Sequence, residues 1–158
     1  KQQVRAERAG QANRLKGRFG AIGHGLPSAL VRRLTDPARP CILLTGDGSF
    51  GYSPIELETA VREDLPVVAV VAVDGAWGSV QSGLASRLSG RQQKTYTELP
   101  HTRFDLLAQA LGARGLWVED EGQLDAALDE AVGSACTFVI AVRTRTVPSP
   151  ATYPTQGY

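Results

Sequence analysis

Two aspartates, each followed by a glycine, carry the chemistry that this sequence offers. Asp47 lies in the segment LLTGDGSF, and Asp74 lies in VVAVVAVDGAWG, 27 residues later (47 to 74). Each aspartate follows an apolar run of the kind that predicts a buried β-strand, so both are expected where a strand ends. A D-G pair is also a common turn. For either aspartate alone, the turn is the simpler interpretation.

The residues after the aspartates are typical of an anion-binding site. Glycine lets the backbone approach a ligand closely, and the N–H groups of Gly48 and Ser49, ahead of a predicted helix, suit a phosphate. Two carboxylates would repel that anion unless a hard cation such as Mg²⁺ or Ca²⁺ accompanied it. Taken together, Asp47 and Asp74 predict one site for a diphosphate and a metal ion.

Strand-like and helix-like patterns alternate along the chain. This predicts an α/β fold, a parallel sheet with helices on both faces. Strands are expected at 41–45, 67–73, 116–118 and 137–142, and helices at 26–34, 53–63, 102–111 and 124–132. Ser53 and Glu56 are expected to form a capping box at the second helix. In such sheets ligands bind beyond the carboxyl ends of the strands, where both aspartates are expected.

Composition excludes several other classes of function. The 158 residues have a formal net charge of +1, so no strong field points to nucleic acid or a membrane surface. No apolar run approaches the roughly 18 residues of a membrane span. Cys41 and Cys136 are far apart in the sequence, which favours free thiols in the reducing cytoplasm over a disulfide. We expect a solvated basic segment at 1–18, one domain at 19–148 and a Pro-rich surface tail at 149–158.

Three segments together resemble one enzyme family. GDGSF, followed by the acid of VDGAWG, is similar to the thiamin-diphosphate motif, and GAIGHGLPSAL at 20–30 resembles a segment of acetolactate-synthase-like and pyruvate-decarboxylase-like enzymes. ELETAVREDLPVVAVV is typical of the same group. The resemblance covers about residues 18–148 and points to the pyrophosphate-binding (PP) domain. It implies thiamin diphosphate and Mg²⁺ as cofactors and a 2-keto acid as substrate.

The resemblance also implies roles for individual residues. Asp47, Asp74 and the carbonyl of Ala76 would bind Mg²⁺. Gly48 and Ser49 would contact the diphosphate. The Gly20 carbonyl would accept a hydrogen bond from the pyrimidine, and Ile22 would bend the cofactor. The remaining cofactor contacts that the resemblance implies are Gly46, Trp77 and Gly78. From the residues alone, Ile22 is equally a core residue, and Trp77 either lines the substrate face or covers the sheet end.

Three positions depart from the family pattern. Asp74 stands where asparagine is usual, which adds a negative charge beside the diphosphate. Glycine and serine around Gly83 replace a bulky aromatic residue, which argues against acetolactate synthesis itself. His24 replaces an aromatic residue, and a structural role is the simpler interpretation than a proton donor. His101 is expected in a loop.

The family's catalytic glutamate lies on a separate pyrimidine-binding domain, for which 158 residues leave no room. Glu56 and Glu58 are explained as helix residues, so the catalytic residue is unknown in this chain. The resemblance implies one half of a split decarboxylase or carboligase, in a heterotetramer with a pyrimidine-domain subunit. A fragment of a longer chain is the other explanation. Three alternatives stay open: a split, non-ligating decarboxylase of the sulfopyruvate type, a non-catalytic regulatory subunit with a degenerate site, and a flavodoxin-like phosphate binder.

Overall fold

The computed structural model describes residues 21–84 and 87–147. The basic segment at 1–18, the Pro-rich tail at 149–158 and Gly20 lie outside the described residues. The strands of the described part are β1 (Ile42–Gly46), β2 (Val68–Val73), β3 (Arg114–Val118) and β4 (Phe138–Arg143). Its helices are α1 (Gly25–Thr35), α2 (Asp47–Phe50), α3 (Glu56–Arg62), α4 (Gly78–Leu84), α5 (Gly90–Thr97), α6 (Phe104–Ala110) and α7 (Leu124–Gly133).

The described strands form one parallel sheet in the order β1-β2-β4-β3. Side chains of the inner strands β2 and β4 alternate between the two faces, as strand geometry requires. Val71 and Val139 point to one face, and Val68 and Ile140 point to the other. The near-continuous apolar runs of these strands are therefore explained by burial on both sides.

Helices cover both faces of the sheet, which confirms the predicted fold class. Leu26 of α1, Leu57 of α3 and Phe104 of α6 pack in the first core cluster. Ala127 and Ala131 of α7 pack in the second, on the opposite face. None of the helices in the described part of the chain is both long and apolar enough to span a membrane.

The expectation that β1 is fully buried is wrong. Ile42 and Leu44 are 55% and 51% exposed, because β1 is an edge strand and α7 packs against β3 and β4 instead. Leu43 points to the other face, towards Gly25 at the start of α1. An apolar run in the sequence records side-chain type and does not record which neighbour covers it.

The capping box predicted at Ser53 is also wrong. Helix α3 begins at Glu56, and its N-cap residue makes no side-chain hydrogen bond. The Ser53 hydroxyl donates instead to the carbonyl of Gly23, in the loop before α1. A true capping box occurs at α5, between Ser89 and Gln92. Short helices α2, α4 and α5 were not predicted from the sequence.

The packing of α6 on β3 depends on a glycine. A Cβ atom added to Gly115 would clash with the backbone oxygen of Asp105. We predict that Gly115→Ala lowers the free energy of unfolding by about 2 kcal/mol or more, as expected for overpacking against backbone. Urea denaturation of the chain measures this change. Gly133→Ala is the control, because nothing lies within 4 Å of its Cβ position. An equal effect of the two substitutions would contradict the packing described.

Candidate functional site

The two aspartate loops meet at the carboxyl edge of the sheet. Asp47 directly follows β1 and opens α2, and Asp74 directly follows β2. Because β1 and β2 pair in parallel, with Gly46 beside Ala72, the two loops leave the sheet side by side. The backbone N–H of Gly75 donates to Oδ2 of Asp47 at 2.9 Å. The structure therefore brings the two motifs together as parts of one site.

Asp47 is the buried acid of this site. Its side chain is 5% exposed, and its other oxygen, Oδ1, accepts the N–H of Gly48 at 2.8 Å. Burial raises the pKa of the Asp47 carboxyl, and the charge of Asp74 acts in the same direction. The N–H groups of Gly75 and Gly48, together with His101, oppose that rise in pKa. A bound cation would also lower the pKa of Asp47, because it favours the charged carboxylate.

Two hydrogen bonds hold the second loop, one within the loop and one from a residue far along the chain. Oδ1 of Asp74 accepts the N–H of Ala76 at 3.1 Å, and the Asp74 carbonyl accepts the Thr146 hydroxyl at 3.0 Å. Gly75 has φ +70, in the left-handed region that favours glycine. These contacts fix the direction of the Asp74 carboxylate beside Asp47.

Trp77 covers the glycine of the first loop. A Cβ atom on Gly48 would lie 2.9 Å from the indole ring. The ring also contacts Tyr52 edge-on, with the ring centroids 5.7 Å apart. A cavity of about 200 Å³ lies beside these residues, and Asp47 and Phe104 also line it. Trp77 therefore packs on the aspartate–glycine loop and lines the cavity beside Asp47.

A third loop, before α1, docks onto the first. The N–H of Gly23 donates to the Ser49 hydroxyl oxygen at 3.1 Å. Ile22 is 46% exposed, which rules out the alternative that it is a core residue. Nδ1 of His24 is buried and has no hydrogen-bond partner among the described residues. Ile22 and His24 therefore flank Gly23, the residue through which this loop contacts the first loop.

The donor set suits a hard cation and an anion. No group of three or more His, Cys, Asp or Glu side chains that could hold a metal occurs in the described residues. Two carboxylates and a backbone carbonyl are oxygen ligands of the kind that Mg²⁺ takes, leaving room for phosphate oxygens and water. A Cβ on Gly46 would meet nothing within 4 Å, and one on Gly78 would lie 3.4 Å from Oδ2 of Asp74. Space beside the backbone is therefore open at Gly46, whereas Gly78 faces the Asp74 carboxylate.

Most of the residues predicted for the site lie around these loops, and their roles stay predictions. Gly83 lies further along α4 and has open space beside it. Sequence reasoning missed Tyr52, which contacts Trp77, and Thr146, which holds the second loop. His101 lies in a loop, as expected, and its side chain also lies against Gly75. No local pattern marks these residues, because each reaches the site through tertiary packing.

Comparison with known proteins identifies one enzyme family. The family model "Thiamine pyrophosphate enzyme, C-terminal TPP binding domain" matches residues 1–142. The acetolactate synthase large subunit of Mycobacterium tuberculosis is 38% identical over 129 residues, 81% of this chain and 23% of that protein. A sulfoacetaldehyde acetyltransferase of Alcaligenes xylosoxydans xylosoxydans is 34% identical over 128 residues, 77% of this chain and 21% of that protein.

A solved structure shows the same fold. The thiamine diphosphate-dependent 4-hydroxybenzoylformate decarboxylase of Rhodococcus jostii RHA1 superposes with a TM-score of 0.74 and is 29% identical, covering 83% of this chain and 24% of that chain. The chain thus spans about a quarter of the length of the proteins it matches, from 21% to 24% in these cases.

The contact between Gly48 and Trp77 can be tested directly. In a Trp117→Phe background, which leaves Trp77 as the single tryptophan, we predict that Gly48→Ala displaces the indole and shifts its fluorescence emission to longer wavelength. The displacement should also cost about 1–3 kcal/mol of stability. Gly46→Ala is the matched control, because its Cβ position is open. If Gly48→Ala left the emission unchanged, Trp77 would not lie over this glycine.

Proposed function

The chain belongs to the thiamine pyrophosphate enzyme family, as its C-terminal TPP-binding domain, and from this we propose that it is the diphosphate-binding half of a two-component 2-keto acid decarboxylase or carboligase. In this proposal it binds Mg²⁺ and the diphosphate of thiamin diphosphate. A partner subunit supplies the pyrimidine-binding domain and its glutamate.

One observation carries the proposal. Asp47 and Gly75 belong to the two halves of the motif and are joined by a 2.9 Å hydrogen bond. Parallel pairing places the two loops side by side, and this hydrogen bond joins a buried carboxylate of one loop to the backbone of the other, as one diphosphate–metal site requires. This convergence favours a cofactor site over a flavodoxin-like phosphate binder.

Each protein group has a defined task in this proposal. The carboxylates of Asp47 and Asp74 and the carbonyl of Ala76 hold Mg²⁺. Gly48 and Ser49, at the start of α2, contact the diphosphate. Thiamin diphosphate, when bound, supplies the stabilisation of a carbanion that decarboxylation of a 2-keto acid requires. The chain's own contribution is to fix one end of that cofactor.

Exposed apolar side chains at the mouth of the site support a partner. Ile22, Tyr52 and Ile55 are 46%, 65% and 63% exposed, and the first two lie on loops that contact each other at Gly23. A pyrimidine-domain subunit in a heterotetramer would cover this surface, since obligate interfaces are apolar at their centres. The relatives are about four times longer than this chain. The alternative to a partner subunit is therefore a pyrimidine-binding domain elsewhere on the same polypeptide.

The surroundings of α4 favour a second candidate within the same chemistry. No described residue of α4 is buried, and a Cβ on Gly83 would meet nothing within 4 Å. That open space is where the family resemblance implies a bulky residue in true acetolactate synthases. A split, non-ligating decarboxylase of the sulfopyruvate type therefore stays the runner-up. A non-catalytic regulatory subunit is less well supported, because both acids of the site are present.

We predict that Asp47→Ala weakens Mg²⁺-dependent binding of thiamin diphosphate at least about 100-fold, or about 2.7 kcal/mol. The physical reason is the loss of a metal ligand whose direction two backbone N–H groups fix. Calorimetric titration of the chain with its co-purified partner measures the affinity, and Asp47→Asn tests the charge with little change of shape.

Asp129→Ala is the control for the loss of one negative charge in Asp47→Ala. It removes one negative charge from an exposed position of α7, which packs on the sheet face away from α1 and α3. It should leave the affinity within about twofold, since exposed charges at a distance are screened. An unchanged affinity in Asp47→Ala would show that the metal site lies elsewhere.

The split-enzyme proposal predicts that this chain alone does not turn over substrate. Carbon dioxide release from a panel of 2-keto acids should be detectable only when the chain is combined with a pyrimidine-domain subunit. The reason is that the glutamate that activates the pyrimidine end of the cofactor is expected on the partner subunit. Turnover by the purified chain at the rate of the pair would contradict the proposal.

A further inference from the structure

A segment that begins at the end of α5 runs antiparallel to the Asp74 loop. The N–H of Trp77 donates to the carbonyl of Thr97 at 2.8 Å, and the N–H of Leu99 donates to the carbonyl of Gly75 at 2.7 Å. Between these bonds, Ala76 and Glu98 form an isolated β-bridge. The segment therefore has a fixed register against the residues proposed to bind the metal.

This register brings His101 onto Gly75. Its ring atoms Cε1 and Nε2 lie 3.0 and 3.2 Å from the position of a Cβ on Gly75. The peptide N–H of the same glycine donates to Asp47. His101 is exposed to solvent, and its electrostatic effect on Asp47 lowers the pKa of that carboxyl, whereas Asp74 raises it.

The site has a charge imbalance that His101 is placed to reduce. Two carboxylates and a diphosphate carry more negative charge than one Mg²⁺ offsets. The arginine ion pairs of the described residues are made with other acids, and neither Asp47 nor Asp74 takes part in one. His101 is a basic side chain that lies against Gly75, whose N–H joins the two aspartate loops.

We propose that His101 is a further residue of the diphosphate site, where its imidazole N–H faces the anion and offsets the negative charge that Asp74 adds. The inference rests on the proposed function, because the anion is the diphosphate of thiamin diphosphate. It also gives a physical reason why the site tolerates aspartate at position 74. The two residues act as a pair, so that removing one changes what the other contributes.

A double-mutant cycle tests the pairing. The affinity for thiamin diphosphate at saturating Mg²⁺ and one fixed pH is measured calorimetrically for wild type, His101→Ala, Asp74→Asn and the double variant. His101→Ala should weaken binding at least about fivefold when Asp74 is present, a coupling of the size seen between neighbouring charged groups, and less than about twofold in the Asp74→Asn background. Asp74→Asn alone should retain or improve binding.

Two further variants show whether a loss of binding comes from the imidazole itself. His101→Gln keeps an N–H donor and should recover part of the affinity. Tyr96→Ala, an exposed side chain on α5, should leave binding unchanged, and thermal unfolding confirms that each variant folds. An equal effect of His101→Ala in both backgrounds, or no effect in either, would overturn the inference and leave the proposed function standing. Absence of Mg²⁺-dependent binding by the wild type would overturn both.

Discussion

The parallel pairing of β1 with β2 is the constraint on which the site depends. Parallel neighbours end at the same edge of a sheet, so the residues that follow them emerge together. In this chain those residues are Asp47 and Asp74, and one hydrogen bond from Gly75 to Asp47 joins them. The third loop docks onto the first through Gly23 and Ser49. The arrangement of the site therefore follows from strand register.

This arrangement buries the Asp47 carboxylate, and much of the local structure offsets the free-energy cost of burying its charge. An acid that is 5% exposed must be hydrogen-bonded or neutralised. Asp47 accepts two backbone N–H groups, one from each aspartate loop. Gly75 adopts a left-handed conformation to supply one of them. A divalent cation and a nearby imidazole would stabilise the same charge, which connects the fold of the loops to the chemistry proposed for them.

The sequence allowed prediction of the parts of this protein that depend on local pattern. Apolar runs identified all four described strands, and the GDG segment identified the first loop. Errors arose where tertiary contacts compete with local rules. Ser53 has the spacing of a capping residue but donates to Gly23 instead, and β1 has a buried-strand pattern although Ile42 and Leu44 are half exposed. The position of His101 depends on an antiparallel contact between distant segments, which no local spacing encodes.

We propose that Asp47, Asp74 and Ala76 hold a divalent cation against a diphosphate. A crystal structure of the chain and its partner, grown with thiamin diphosphate and Mn²⁺ in place of Mg²⁺, locates the cation through its anomalous scattering. We predict one peak within bonding distance of both carboxylates, of the Ala76 carbonyl and of two phosphate oxygens. A cation peak away from these aspartates, with the diphosphate bound elsewhere, would contradict it.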